Sequence, residues 1–243
     1  MLASEATNVV CNLITAFICF LAGKAWTNRK RVKLAIQAQL RRGKWVRVSA
    51  AYLFRIKVHG KYLLIRGKRI KDQFQPVGGV YKAFDSARST FNRLGVVSDD
   101  SMKSCSTDSD DLRIRVKGEN LLEFLDWFDS GAGREVTTLR EFNEELIRPG
   151  YLESFRIESF NPQFVAQCER ILTYSQQLGI DEVLVHDVYE VILTDSEQKR
   201  LAEHINDNPD GDLALVTEEE IERKTFATNS GFCRIAETAG KVL

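Results

Sequence analysis

The densest chemistry in the chain lies in Arg140-Glu141-Phe142-Asn143-Glu144-Glu145. On an α-helix, positions 141, 144 and 145 are related by i, i+3 and i+4, so their three carboxylates share one face. Phe142 and Leu146 mark the opposite, buried face. Like charges set this close repel unless a cation lies between them. An oxygen-rich cluster of this kind suits Mg²⁺ or Mn²⁺ in contact with substrate phosphates. Such a metal would neutralise phosphate charge and activate water for attack on a phosphoanhydride. A Glu-rich helix face is also an ordinary solvated surface. Against that stands an upstream bend, Pro76-Val77-Gly78-Gly79, where bare backbone lets a phosphate approach closely.

These residues need a scaffold, and the hydropathy pattern supplies one. Val46, Val48, Ala50 and Tyr52 open a strand, and Tyr52–Val58 alternates cleanly. His59-Gly60 reads as a turn and Lys61–Arg66 as the returning strand, so the bend at 76–79 follows a β-hairpin. Positions 97–111 are polar and acidic, which predicts an exposed loop. A short strand is expected over Asp111–Val116 and a helix over Asn120–Asp129. Thr137–Ile147 reads as a helix closed by Pro149-Gly150. Two longer strand-like segments follow, near Phe164–Tyr174 and Glu182–Leu193. Thr194-Asp-Ser-Glu197 starts another helix, Leu213–Val216 is a strand, and Thr217-Glu-Glu-Glu220 is a capping box opening a last helix. Strands interleaved with helices, some of them antiparallel, predict an α/β (α+β) sandwich with a mixed sheet.

The net charge is zero, but it is unevenly spread. Residues 1–94 hold 19 Lys/Arg against Glu5, Asp72 and Asp85 (+16), leaving 15 Lys/Arg against 31 Asp/Glu in the rest (−16). The basic half either faces lipid headgroups or a phosphate ligand, or is neutralised by the acidic half within one fold. Residues 6–23 are 18 uncharged positions, roughly 27 Å of helix, enough for a bilayer core. Trp26 follows, then Arg29, Lys30, Arg31 and Lys33, while only Glu5 charges the other flank. The expectation is a single-pass transmembrane anchor over residues 1–26, with the N-terminus outside and a basic juxtamembrane helix over 27–43. Residues 44–243 then form the cytoplasmic domain. The five cysteines show no C-x-x-C pair, which fits neither a zinc site nor a disulfide framework. His59, His186 and His204 have no partner at ligand or triad spacing.

The box resembles that of the Nudix family, whose signature runs glycine, five residues, Glu, seven residues, then Arg-Glu-hydrophobic-x-Glu-Glu-x-Gly. Arg140–Glu145 matches its helical half at every fixed position, and Pro76–Gly79 looks like its proline-glycine-glycine turn. Gly79 and Arg140 stand 61 positions apart, so the box is interrupted by an insertion around 83–133, and Glu135 precedes Arg140 by five positions where the pattern has eight. With Trp127–Gly131 and Gly133–Ile147, the interrupted box is similar to the SMODS-associated Nudix domains, found with transmembrane helices as effectors of CBASS antiphage systems. The resemblance implies a Nudix-like α/β/α sandwich and a membrane-bound effector. Such an effector senses a cyclic oligonucleotide second messenger, oligomerises and disrupts the inner membrane, with no role for a nucleic acid polymer. It implies that Glu141, Glu144 and Glu145 are catalytic residues and Mg²⁺ ligands if the site is active, with Arg140 orienting the carboxylates. Gly78 and Gly79 would shape the ligand pocket, and Arg66 and Arg69 beside the bend would meet phosphates. The alternatives are a membrane-tethered, Mg-dependent hydrolase of a nucleoside diphosphate derivative and a degenerate interaction module.

Overall fold

The structure is a computed structural model, and it describes residues 28–67, 70, 72–99, 110–152 and 160–243. The expected anchor over residues 6–23 lies outside the described residues. Among the described residues no helix is long and apolar enough to cross a membrane.

The molecule is organised on one long strand, β1 (Trp45–Val58), buried along most of its length. A His59-Gly60 turn with positive φ at both positions folds it back onto β2 (Lys61–Arg66), pairing Val58 with Lys61. This is the geometry a tight two-residue hairpin requires. The remaining strands, named in chain order, are β3 (Gln73–Pro76), β4 (Gly78–Val80), β5 (Val97–Ser98), β6 (Arg113–Lys117), β7 (Gln163–Gln167), β8 (Leu172–Ser175), β9 (Ile180–Val191), β10 (Leu213–Val216), β11 (Thr225–Thr228) and β12 (Gly231–Ile235). β1 pairs in parallel with β9, from Val46↔Asp181 to Ile56↔Val191. Its other edge is shared end to end by β6 and β4, both antiparallel. β5 extends that edge beyond β6, and β7 and β8 extend the opposite one beyond β9. β2 carries the second half of the sheet network, between β10 and β3, with β12 parallel to β3 and β11 outermost.

Six helices flank the sheet among the described residues: α1 (Arg29–Leu40), α2 (Arg88–Leu94), α3 (Leu121–Ser130), α4 (Leu139–Phe142), α5 (Asp195–Asp207) and α6 (Glu218–Arg223). Thr194 and Thr217 each form a full capping box, with Glu197 and Glu220 respectively. The main core packs α1, α3 and α4 on β1 and β9 through Leu34, Phe54, Phe124, Phe128 and Phe142. A second cluster, with Tyr62, Leu64, Phe74 and Ile221, fills the other side of β2. The fold is a mixed α/β arrangement with a mixed sheet, as the sequence pattern predicts. The predicted single strand near 164–174 is instead two, broken after Gln167. The β11–β12 hairpin and helix α2 are additions that the pattern did not announce.

The insertion is a closed excursion from the edge of this sheet. It leaves through Ala83 and returns through Arg134, which form an antiparallel bridge. Phe84 N–H donates to Gly133 O (2.8 Å) and Glu135 N–H to Lys82 O (2.7 Å), zipping the two ends together. Within it, β6 and α3 add a strand and an apolar helix face to the main core.

Candidate functional site

The chain passes from β3 to β4 at Val77, whose carbonyl accepts from Phe54 N–H at 2.8 Å. This crossing sets Gly78 and Gly79 flat against β1, opposite Leu53 and Tyr52. At Gly78 fixed backbone leaves no room for a side chain, and at Gly79 a side chain would force Glu141 to move. A Cβ on Gly78 would lie 2.2 Å from the Tyr52 carbonyl oxygen, and one on Gly79 would lie 2.0 Å from Cγ of Glu141. The glycine pair therefore exists to let β1 come close on one side and the carboxylate helix on the other.

That helix is short. α4 ends at Phe142, and Asn143–Ile147 continues as a π-turn in which Arg148 N–H reaches Asn143 O at 2.8 Å. The wider turn rotates its residues relative to an α-helix, and single π-turns of this kind concentrate at functional sites. The three glutamates separate accordingly. Glu141 lies against Gly79, and the buried Glu145 accepts from Gly78 N–H through Oε2 (3.2 Å). Glu144 is exposed, 3.9 Å from Arg140. Phe142 and Leu146 are buried on the other side, as their spacing predicts.

Arg140 ties the corner together. Its Nη1 donates to Glu141 Oε1 at 2.5 Å, and Nε and Nη2 donate to the two oxygens of Glu135 at 3.2 Å each. Nη2 also reaches the Val80 carbonyl at 3.0 Å. Burial opposes the guanidinium's charge, but the Glu135 hydrogen bonds and the Glu141 carboxylate outweigh it, so its pKa is raised further. Below the helix, Tyr52 is fully buried, with its hydroxyl against the Glu141 backbone. Burial first, and then the nearby Glu135 carboxylate, pushes that hydroxyl's pKa up, so it stays protonated.

Glu135 is the residue whose place the linear spacing concealed. With the excursion closed at the Ala83–Arg134 bridge, the residues between Gly79 and Glu135 are 80, 81, 82, 83 and 134. Five residues separate a glycine from a glutamate, so the first half of the box is intact in space. Only the second spacing is short, with four residues (136–139) before Arg140. The ion pair between Glu135 and Arg140 shows that the shorter loop still closes. The interrupted box bounds the insertion at about 83–133, and the bridge sets its closing residue at Arg134.

Of the two arginines expected to meet phosphates, Arg66 is described. Arg66 stacks on Phe74 (4.8 Å) and pairs with Asp72 and Asp212, both at 3.2 Å. It contacts none of the carboxylates at the corner. Arg69 lies outside the described residues.

A family model for the SMODS-associated NUDIX domain matches residues 45–243. The chain belongs to this family. No curated protein and no solved structure matches it. NUDIX domains commonly use divalent metals such as Mg²⁺, and carboxylate oxygens are suitable hard donors. In this chain those oxygens engage the chain itself. Among the described residues no three His, Cys, Asp or Glu side chains gather as a metal-holding group. Glu135 and Glu141 instead accept from Arg140, and Glu145 accepts from the Gly78 amide.

Proposed function

We propose that the chain is a membrane-tethered effector of a CBASS antiphage system, and that its NUDIX domain senses a cyclic oligonucleotide second messenger. The family supports the coarser part: this is a Nudix-like effector domain of defence systems. The observation that carries the finer part is the corner itself. A glycine pair pressed against β1 meets a carboxylate turn, and Arg140 holds Glu135 and Glu141 in place there. Bare backbone at Gly78 and Gly79 beside these carboxylates leaves a place for a nucleotide to approach closely.

In this reading the messenger binds at the Gly78–Gly79 bend, and binding drives self-association of the cytoplasmic domains at the inner membrane. Clustering of the segments around residues 6–23 then makes the bilayer leak. The sequence supports the tether through its 18 uncharged positions followed by Trp26 and a basic run.

The full chain in detergent or nanodiscs, titrated calorimetrically with cyclic di- and trinucleotides with and without Mg²⁺, tests this. Tight binding with the ligand recovered intact is the expected outcome. Release of mononucleotide, abolished by Glu144→Gln or Glu145→Gln, would make the protein a membrane-tethered hydrolase instead. Absence of binding to every cyclic oligonucleotide would remove the sensor reading altogether.

A further inference from the structure

α1 carries two opposed apolar rows. Leu34 and Ala38 face the domain and are buried, at 5% and 2% exposure. Val32, Ile36 and Leu40 stand four residues apart on the opposite side, 41%, 58% and 75% exposed. Arg29 and Lys33 edge this outer face, since positions 29, 32, 33, 36 and 40 follow the i, i+3, i+4, i+7, i+11 series of one side, and both also lie within electrostatic reach of Glu169. The cations nearest the domain are engaged by it: Lys30 with Glu169 at 2.8 Å and Arg31 with Asp126 at 2.6 Å. Just past the helix, Arg41 pairs with Asp181 and Arg42 with Glu119. What turns outward is a row of three large aliphatic side chains edged by basic ones, the composition of a helix that lies in a membrane surface.

Chain length limits what can cover this row. Arg29 follows Trp26 by only three positions. At no more than about 3.6 Å per residue, the first turn of α1 starts within roughly 11 Å of Trp26. If the uncharged run before it enters a bilayer, the first turn of α1 is held at the headgroup region, and the outward row decides whether the rest of the helix lies down on it.

We propose that α1 lies in the surface of an anionic bilayer, with Val32, Ile36 and Leu40 in the acyl boundary and Arg29 and Lys33 against headgroups. Because Leu34 and Ala38 pack into the domain core, the same helix fixes how the whole NUDIX domain faces the membrane. The inference rests on the tether reading and adds to it a face, an orientation and the residues responsible.

The test uses the full chain with Ile36→Trp, reconstituted at one chain per nanodisc in lipids brominated on the acyl chain, either phosphatidylglycerol or phosphatidylcholine. The signal is the difference from the unsubstituted chain, and Lys199→Trp on the exposed face of α5 is the control. Expected is a blue-shifted emission from the indole at position 36, quenched by brominated lipid and more strongly with phosphatidylglycerol. The indole at position 199 should be unquenched. Adding Val32→Glu and Leu40→Glu to the Ile36→Trp chain should abolish the quenching. An emission from position 36 as red and unquenched as that from position 199 would overturn the inference. So would a blue shift that appears only in discs holding two or more chains, which would assign the row to a second copy. A chain that fails to enter discs at all would instead sink the tether; entry without quenching at position 36 would sink only the orientation.

Discussion

Two arginines of this protein each hold two carboxylates against the edge of the same sheet, and they serve different ends. Arg47, on β1, is almost completely buried and donates to Asp99 at 2.5 Å and to Glu182 at 2.9 Å, while Arg115 takes the other oxygen of Asp99 at 2.7 Å. Asp99 and Arg115 belong to the insertion and Glu182 to β9, so this cluster locks the excursion onto the parallel pair at the centre of the fold. Arg140 holds Glu135 and Glu141 in a more open setting, 24% exposed, with the exposed Glu144 on one side and two glycines on the other. A sealed ion cluster has no room for a ligand and acts on stability. A half-open one beside bare backbone can exchange a partner. Burial separates a fastening from a site, although residue types and pairings are nearly the same.

The contrast can be broken at its strongest point. Arg47→Met should leave Asp99 and Glu182 buried beside an apolar side chain and cost about 3–5 kcal/mol, against a smaller loss for Arg140→Met. Urea denaturation that ranks the two in the opposite order would erase the distinction. A buried group without such pairing sharpens it. Burial, with Lys241 adding to it, holds His186 near a pKa of about 4, against 6.5 when exposed. Above about pH 6.5 the ring is neutral folded or unfolded. Between 6.5 and 4 only the unfolded chain takes up the proton, so stability should fall as pH falls, by at most about 1.4 kcal/mol per pH unit from this group. The slope should flatten in His186→Phe when unfolding midpoints are compared at pH 7 and pH 5.

Gly78→Ala comes next. Its Cβ must displace the Tyr52 carbonyl and part β4 from β1, which should cost about 1–3 kcal/mol and remove ligand binding in calorimetry. Retained binding would move the ligand site away from the bend. Arg140→Gln frees Glu135 and Glu141 from their cation, and Mn²⁺ followed by electron paramagnetic resonance should bind this variant more tightly than the unsubstituted chain. Equal affinity would mean that the arginine does not occupy a cation's place. The smallest effect is expected for Glu144→Gln, whose exposed side chain should shift stability by no more than about 0.5 kcal/mol. Any larger shift would show that Glu144 is held more tightly than its exposure suggests.

Local signals in the sequence were followed closely by the fold. The His59-Gly60 hairpin, the capping boxes at Thr194 and Thr217, and the buried Phe142 and Leu146 are all set within a few residues of chain, where turn geometry and helical spacing act. The charge asymmetry is different. From the sequence, the basic half faces either an anionic surface or the acidic half, and tertiary contacts join much of it to the latter. Arg31, Arg41, Arg42, Arg47 and Arg66 all pair with carboxylates from beyond residue 98.

The sequence by itself determined that a glycine pair, an arginine and a run of glutamates are present, and that strands and helices alternate around them. Only the tertiary structure decided that Glu135 belongs with them, because its place depends on Ala83 and Arg134 meeting across the insertion. It also decided which carboxylates Arg140 holds, Glu135 and Glu141. Side-chain periodicity acts over one or two turns of chain, whereas loop closure and the pairing of distant charges depend on which segments the core brings together.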